Sequence, residues 1–144
     1  MRLKDKVAVV TGAGSGFGAG IARKFVAEGA RVIVADMNLS AAMDVAAELG
    51  SAARAVRVDV SVATDARGML DAAERQFGPL DILVNNAGIG HLPQPLESLP
   101  EEEFDRLFAV NMKAVYLAMR EAVPRFKAKD GAGIKGVVLN IAST

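Results

Sequence analysis

Short apolar runs alternate along this chain with longer stretches in which apolar residues return every three or four positions. The runs read as buried strands over residues 7–11, 31–36, 54–60, 80–85 and 136–142. The stretches between them read as amphipathic helices over 16–28, 40–49 and 64–77, with one longer helix ending near residue 127. Gly29, Gly50 and Gly78-Pro79 follow the first three helices and mark their ends. Ser98-Leu99-Pro100-Glu101 predicts a capping-box start for the long helix, with three glutamates at its positive end. Phe104, Leu107, Phe108, Asn111, Val115, Ala118 and Ala122 are expected on one face of it. Pro124 is expected to loosen or bend its last turn.

Strands that alternate with helices imply a parallel sheet covered on both faces. The expected fold is therefore α/β: a doubly wound parallel sheet of the Rossmann type, strand order 3-2-1-4-5, truncated after strand five. Residues 1–144 read as a single domain, incomplete at its C-terminus. Ligands of such sheets lie beyond the C-terminal ends of the strands, at the switch between the first and fourth.

The segment Thr11-Gly12-Ala13-Gly14-Ser15-Gly16-Phe17-Gly18 joins the first strand to the first helix. Glycines let backbone approach a ligand closely, and the helix start offers unpaired N–H groups with a positive dipole end. A pyrophosphate suits that chemistry, although a plain tight turn would use the same residues. No Gly-Lys-Ser/Thr triplet occurs, so a P-loop is excluded.

Polar residues stand at the other strand ends. Asp36 closes the second strand, where a carboxylate can accept both hydroxyls of an adenosine ribose and would repel a 2′-phosphate. Ser15 and Met37 supply no charge to offset that repulsion, so NAD is favoured over NADP. Asp59 closes the third strand and can take an adenine amine, or simply cap a turn. Asn85-Asn86-Ala87-Gly88 follows the fourth strand, and Ser143 the fifth. Asn111 is a polar residue in an apolar stripe, and there it needs hydrogen-bond partners. Tyr116 with Arg120, and the lone His91 in a proline-containing loop, read as surface residues.

Composition narrows the partners. The 17 basic and 17 acidic residues cancel, with no basic stripe, which disfavours nucleic acid and anionic membranes. The absence of cysteine removes disulfides and thiolate chemistry, and no His/Asp/Glu cluster has metal spacing. No signal-peptide core or membrane-length apolar run is present, and a cytoplasmic location is expected.

Taken together, these motifs resemble the short-chain dehydrogenase/reductase family from one end of the chain to the other. Thr11-Gly12-x-x-x-Gly16-x-Gly18 is similar to its cofactor motif, and Asn86-Ala87-Gly88 to its second motif. Asn111, and Ser143 after Asn140-Ile141-Ala142, match two members of its catalytic tetrad. The resemblance implies that Gly12, Ser15, Gly16, Phe17 and Gly18 surround the pyrophosphate and its ribose. It implies that Asp36 holds the adenosine ribose, that Asp59 and Val60 hold adenine, and that Asn86, Ala87, Gly88 and Val110 pass close to the cofactor. Ser143 would hydrogen-bond the substrate oxygen, and Asn111 would hold a water in the proton relay. The implied activity is NAD(H)-dependent hydride transfer with a small alcohol or carbonyl substrate, such as a polyol, sugar, steroid or 3-oxoacyl thioester. A homodimer or homotetramer packed through the long helix is implied as well.

One departure qualifies that reading. The family's acid is a Tyr-x-x-x-Lys pair expected after Ser143, and the chain ends at Thr144. Tyr116 precedes Ser143 and has Arg120 where the lysine is needed. The chain is thus expected to be the N-terminal part of a longer enzyme, inactive as a dehydrogenase by itself. Two other readings compete: a dinucleotide-binding module without catalysis, and a methyltransferase, which shares the glycines and the acid but has no use for Asn86-Ala87-Gly88 or Ser143.

Overall fold

The structure is a computed structural model that describes residues 1–131, 133 and 135–142. Five strands form one sheet: β1 (Val7–Thr11), β2 (Arg31–Asp36), β3 (Ala53–Arg57), β4 (Ile82–Asn85) and β5 (Val137–Asn140). All neighbouring pairs are parallel and the order is β3-β2-β1-β4-β5, as expected. Between them run α1 (Gly16–Ala27), α2 (Leu39–Leu49), α3 (Ala63–Phe77), α4 (Glu101–Phe108) and α5 (Ala114–Ala128).

The period-two pattern of the strands builds two cores. Side chains alternate across a sheet, so Ala8, Val10, Val32 and Val34 face one side, where Ala19 and Ala22 of α1 and Ala42 and Val45 of α2 meet them. Val7, Val9, Ile33 and Leu83 face the other, against Met69 and Leu70 of α3 and Ala118, Ala122 and Phe126 of α5. Strands buried on both faces have no polar side, which is why they read as continuous apolar runs. The alanines on the helices bring α1 and α2 close to the sheet.

Several sequence expectations are corrected, among them the start of the fourth strand, which begins at Ile82 rather than residue 80. The third strand covers Ala53–Arg57 rather than 54–60. The N–H of Val58 still donates to the carbonyl of Asp36, but the Asp59 carboxylate then takes the N–H and hydroxyl of Ser61 and turns the chain. The capping box at Ser98 does not form. Leu99 is extended (φ −73°, ψ 116°) because the following Pro100 disfavours helix at that position, so α4 begins after Pro100. Ser98 instead closes a short 3₁₀ turn, and Glu101, Glu102 and Glu103 fill the first helical turn.

A further correction concerns the single apolar face of the long helix. A π-helical turn over Ala109–Lys113 separates α4 from α5 and adds a residue to the helical period. Ala118 and Ala122 are buried as expected, whereas Phe104 and Phe108 are exposed and stack on each other at 6.3 Å. Asn111 falls within the π turn and is exposed rather than set among apolar neighbours. Pro124 stands inside α5, which continues to Ala128. The fifth strand is shorter than the expected 136–142, although the N–H of Ile141 still donates to the carbonyl of Asn85.

Two polar clamps tie the layers together. Asp81, just before β4, accepts the N–H of Val7 and the Nζ of Lys129, beyond α5, with Lys6 close by. Burial pushes its carboxyl up, but the hydrogen bonds from Lys129 and Val7 outweigh burial and hold it below the usual carboxylate range. At the opposite end of β1, the buried Thr11 hydroxyl donates to the carbonyl of Val84 at 3.3 Å and accepts the N–H groups of Asn86 and Ala87 at 3.0 Å each.

Both clamps are testable by unfolding. A folded-state carboxyl held low contributes stability above its unfolded range, near pH 4, and loses that contribution as pH falls through its folded value. Asp81→Asn should therefore lower stability by about 1–2 kcal/mol at neutral pH, and the deficit should shrink in acid. Urea melts at pH 7 and pH 3 check this; a deficit independent of pH would contradict it. Thr11→Val leaves two amides without their acceptor and should cost about 2–4 kcal/mol, while Thr11→Ser should retain most of the stability. Equal urea midpoints for Thr11→Val and the parent would rule this out.

Candidate functional site

The chain leaves β1 toward α1 on one face of the sheet and leaves β4 toward α5 on the other. The divergence opens a crevice above the strand ends. Gly12 turns the chain there with φ 63°, and a Cβ on it would lie 2.9 Å from Cα of Ala87. A Cβ on Gly18 would lie 2.1 Å from the carbonyl oxygen of Gly12 and 2.5 Å from Nδ2 of Asn86. These two positions therefore require glycine for close approach, of loop to loop at Gly12 and of helix to loop at Gly18.

The amides of the glycine loop divide into two groups. Ala13 donates to the carbonyl of Ala35, and Gly14 to Oδ2 of Asp36 at 2.9 Å. The N–H groups of Ser15, Gly16, Phe17 and Gly18 have no partner among the described residues. Ser15 occupies the N-cap of α1 without a side-chain capping bond, and no acid lies in the first turn. The positive end of α1 is left open to an incoming anion.

Asp36 is fixed from two sides. Its Oδ2 accepts from Gly14 and its Oδ1 from the N–H of Asn38 at 2.9 Å. A carboxylate has about four acceptor positions, so each oxygen keeps capacity for a hydroxyl. Asp59 is organised in a similar way. Its Oδ1 accepts the N–H and the hydroxyl of Ser61, and its own N–H donates to Oδ2 of Asp65. Its Oδ2 has no partner among the described residues.

Asn86 and Asn111 hold main chain. Nδ2 of Asn86 donates to the carbonyls of Thr11 and Gly12 at 3.0 and 3.2 Å, tying the start of the glycine loop to the end of β4. Oδ1 of Asn111 accepts the N–H of Ile89, and Nδ2 donates to the Ile89 carbonyl, both at 2.9 Å. The loop after β4 is thereby pinned to the π turn. Asn85 bonds Asn140 across β4 and β5 at 2.9 Å.

These residues surround an open cleft whose free space, its solvent-facing part included, is about 1410 Å³. Gly12, Ser15, Gly16, Phe17, Asp36, Asp59, Val60, Asn86, Ala87, Gly88 and Val110 all line it. Of the expected cofactor set only Gly18 does not; it packs behind the loop. Asn111 stands beside the cleft and acts on its wall through Ile89. Ser143 lies outside the described residues. Phe17, 86% exposed, is the most open apolar side chain of the wall.

Met37 lines the cleft beside Asp36, and the cleft also contains residues that sequence reasoning missed: Val58, Ser61, Ile89 and Arg106. Arg106 precedes Val110 by one helical turn, a spacing visible in the sequence once Val110 is placed. Thr11 was read only as part of the glycine motif, and its hydroxyl joins β1 to β4. Tyr116 is exposed, with the Arg120 guanidinium 5.5 Å from its ring centre. His91 lies in the exposed loop with Nδ1 2.8 Å from the Leu92 carbonyl. Among the described residues no group of three His, Cys, Asp or Glu side chains is placed to hold a metal. No helix among them is long and apolar enough to cross a membrane.

Comparison with known proteins agrees with this geometry. A family model described as short chain dehydrogenase matches residues 6–144. The chain is 41% identical to a galactitol 2-dehydrogenase of Agrobacterium fabrum, covering 99% of this chain and 54% of that protein. It is 43% identical to a sorbitol dehydrogenase of Cereibacter sphaeroides, covering 99% and 54%. The crystal structure of a 3-ketoacyl-(acyl-carrier-protein) reductase from Brucella melitensis complexed with NADH superposes with a TM-score of 0.94 at 49% identity, covering 98% of this chain and 58% of that one. The chain thus spans little more than half the length of these relatives. With its 3-2-1-4-5 sheet and its glycine loop set against Asn86-Ala87-Gly88, the chain belongs to the short-chain dehydrogenase family.

Proposed function

We propose that residues 1–144 form the NAD(H)-binding part of an oxidoreductase acting on a small alcohol or carbonyl compound. The observation that carries this reading is the pairing of an open, uncapped α1 N-terminus with a fixed Asp36 carboxylate on the wall of the same cleft. One end suits a pyrophosphate and the other a ribose diol. The amides of Ser15, Gly16, Phe17 and Gly18 would receive the phosphates. Asp36 would accept the adenosine ribose hydroxyls and disfavour a 2′-phosphate, making NAD preferred over NADP. The free Oδ2 of Asp59 and the main chain of Val60 would meet the adenine edge, with Asn86, Ala87, Gly88 and Val110 along the remaining wall. The NADH in the Brucella melitensis reductase complex supports this choice of cofactor.

Bound nicotinamide would supply or accept a hydride. The protein's task is then to orient the ring, exclude water and stabilise charge on the substrate oxygen. Ser143 would offer its hydroxyl to that oxygen, and Asn111 would support the relay beside it. Proton delivery needs a positioned acid, and Tyr116 is not one: it lies on the exposed face of α5 under Arg120. These 144 residues alone should bind cofactor without turning substrate over. The names of the relatives favour a polyol or sugar alcohol, or a 3-oxoacyl thioester, as the substrate. Exposed Phe104, Phe108, Met112 and Tyr116 along α4, the π turn and α5 support a homodimer or homotetramer packed through this helix. A cytoplasmic setting accords with a cysteine-free chain.

Titration followed by cofactor fluorescence tests the reading. The chain should bind NADH about tenfold or more tightly over NADPH, a difference of roughly 1.4 kcal/mol. Asp36→Asn should narrow that gap by weakening NADH. Equal or tighter binding of NADPH by the parent chain would overturn the preference. Binding of S-adenosylmethionine, with no binding of either nicotinamide nucleotide, would overturn the whole reading.

A further inference from the structure

Arg106 is the one basic side chain on the wall of the cleft among the described residues, in company with two acids, Asp36 and Asp59. Helix α4 offers it carboxylates at both favourable spacings, Glu102 four residues earlier and Glu103 three. Arg106 pairs with neither: its side chain makes no ion pair or hydrogen bond to any described residue. Glu103 instead receives Gln94 at 3.4 Å. Arg23, Arg67 and Arg125 are each held by glutamate or aspartate, and of the arginines without such a partner Arg106 is the one that lines the cleft. An unpaired cation set on a cleft wall is free to meet a ligand there.

The neighbours say which part of the ligand. Arg106 stands one turn from Val110, so the two share a side of the helix. The same cleft is lined by Val60 and by Asp59, whose unpartnered Oδ2 suits the polar edge of a base. A flat ring with its edge on Asp59 and Val60 leaves its faces to apolar or planar groups. Guanidinium is planar, weakly hydrated and well suited to stacking on an aromatic face.

We propose that Arg106 is a cofactor-binding residue whose guanidinium stacks on the adenine ring of the bound dinucleotide, next to Val110. The inference rests on the NAD(H) reading given above. It assigns to α4 a direct contact with the cofactor, additional to that of Val110. Arg106 also offsets part of the repulsion between the two acids of the wall and the ligand's phosphates.

Calorimetric titration of NADH and of ADP against the parent chain, Arg106→Leu and Arg106→Lys tests it. Arg106→Leu should weaken both ligands about fivefold, with an unchanged melting temperature because the residue is exposed. Arg106→Lys should recover less than half of the loss, because lysine keeps the charge and not the plane. A parent chain that binds NADH alongside an Arg106→Leu variant of equal affinity would overturn this inference alone. Full recovery by lysine, with the loss vanishing at high salt, would overturn stacking in favour of simple charge attraction. A parent chain that binds neither ligand would overturn the inference together with the cofactor reading beneath it.

Discussion

The junction between the ends of β1 and β4 governs the rest of the molecule. Two parallel neighbours whose chains depart to opposite faces leave main-chain N–H and C=O groups that neither departing helix can satisfy. Thr11 and Asn86 satisfy them. One hydroxyl receives two amides and donates to a carbonyl, and one carboxamide donates to two carbonyls of the first loop. Gly12 and Gly18 then fit because any Cβ would collide with this bonded framework. The crevice is thus a consequence of sheet topology, kept open and rigid by two short polar side chains.

Rigidity at that junction has an electrostatic counterpart. The glycine loop satisfies its first amides internally, through Ala35 and Asp36, and leaves the later ones free at the start of α1. Asp36 therefore has two tasks. It braces the loop through Gly14 and presents a negative group at the end of β2. Loop shape and the charge of the cleft wall meet in one carboxylate, so a substitution there acts on both. Asp59 follows the same logic at the next strand, with one oxygen occupied by Ser61 and the other free.

The π turn at Ala109–Lys113 adds a third wall. It lets the helix after β4 bury Ala118 and Ala122 against the sheet while Asn111 reaches sideways to both main-chain groups of Ile89. A regular helix would keep a single face through this region. The break in period explains how one continuous helical segment serves both the core and the cleft. π turns recur at functional sites for this reason: the extra residue redirects side chains without ending the helix.

By itself, the sequence determined the fold class, the strand order and the larger share of the residues that line the cleft. Those features are written in local signals: apolar runs, helical spacing, glycines after β1 and polar residues at strand ends. Element boundaries were less legible. β3 ends early because the Asp59 side chain competes for backbone groups, and α4 starts late because Pro100 forbids helix at Leu99. Only the tertiary structure decided what the polar residues hold. Thr11 bonds groups 73 to 76 residues away, and Asn111 bonds a loop 22 residues back. No periodicity in a single chain encodes such pairings, since they depend on which strands the sheet brings side by side. The exposure of Phe104 and Phe108, and the place of Arg106 in the cleft, were decided in the same way, by where the π turn and the crevice set the face of one helix.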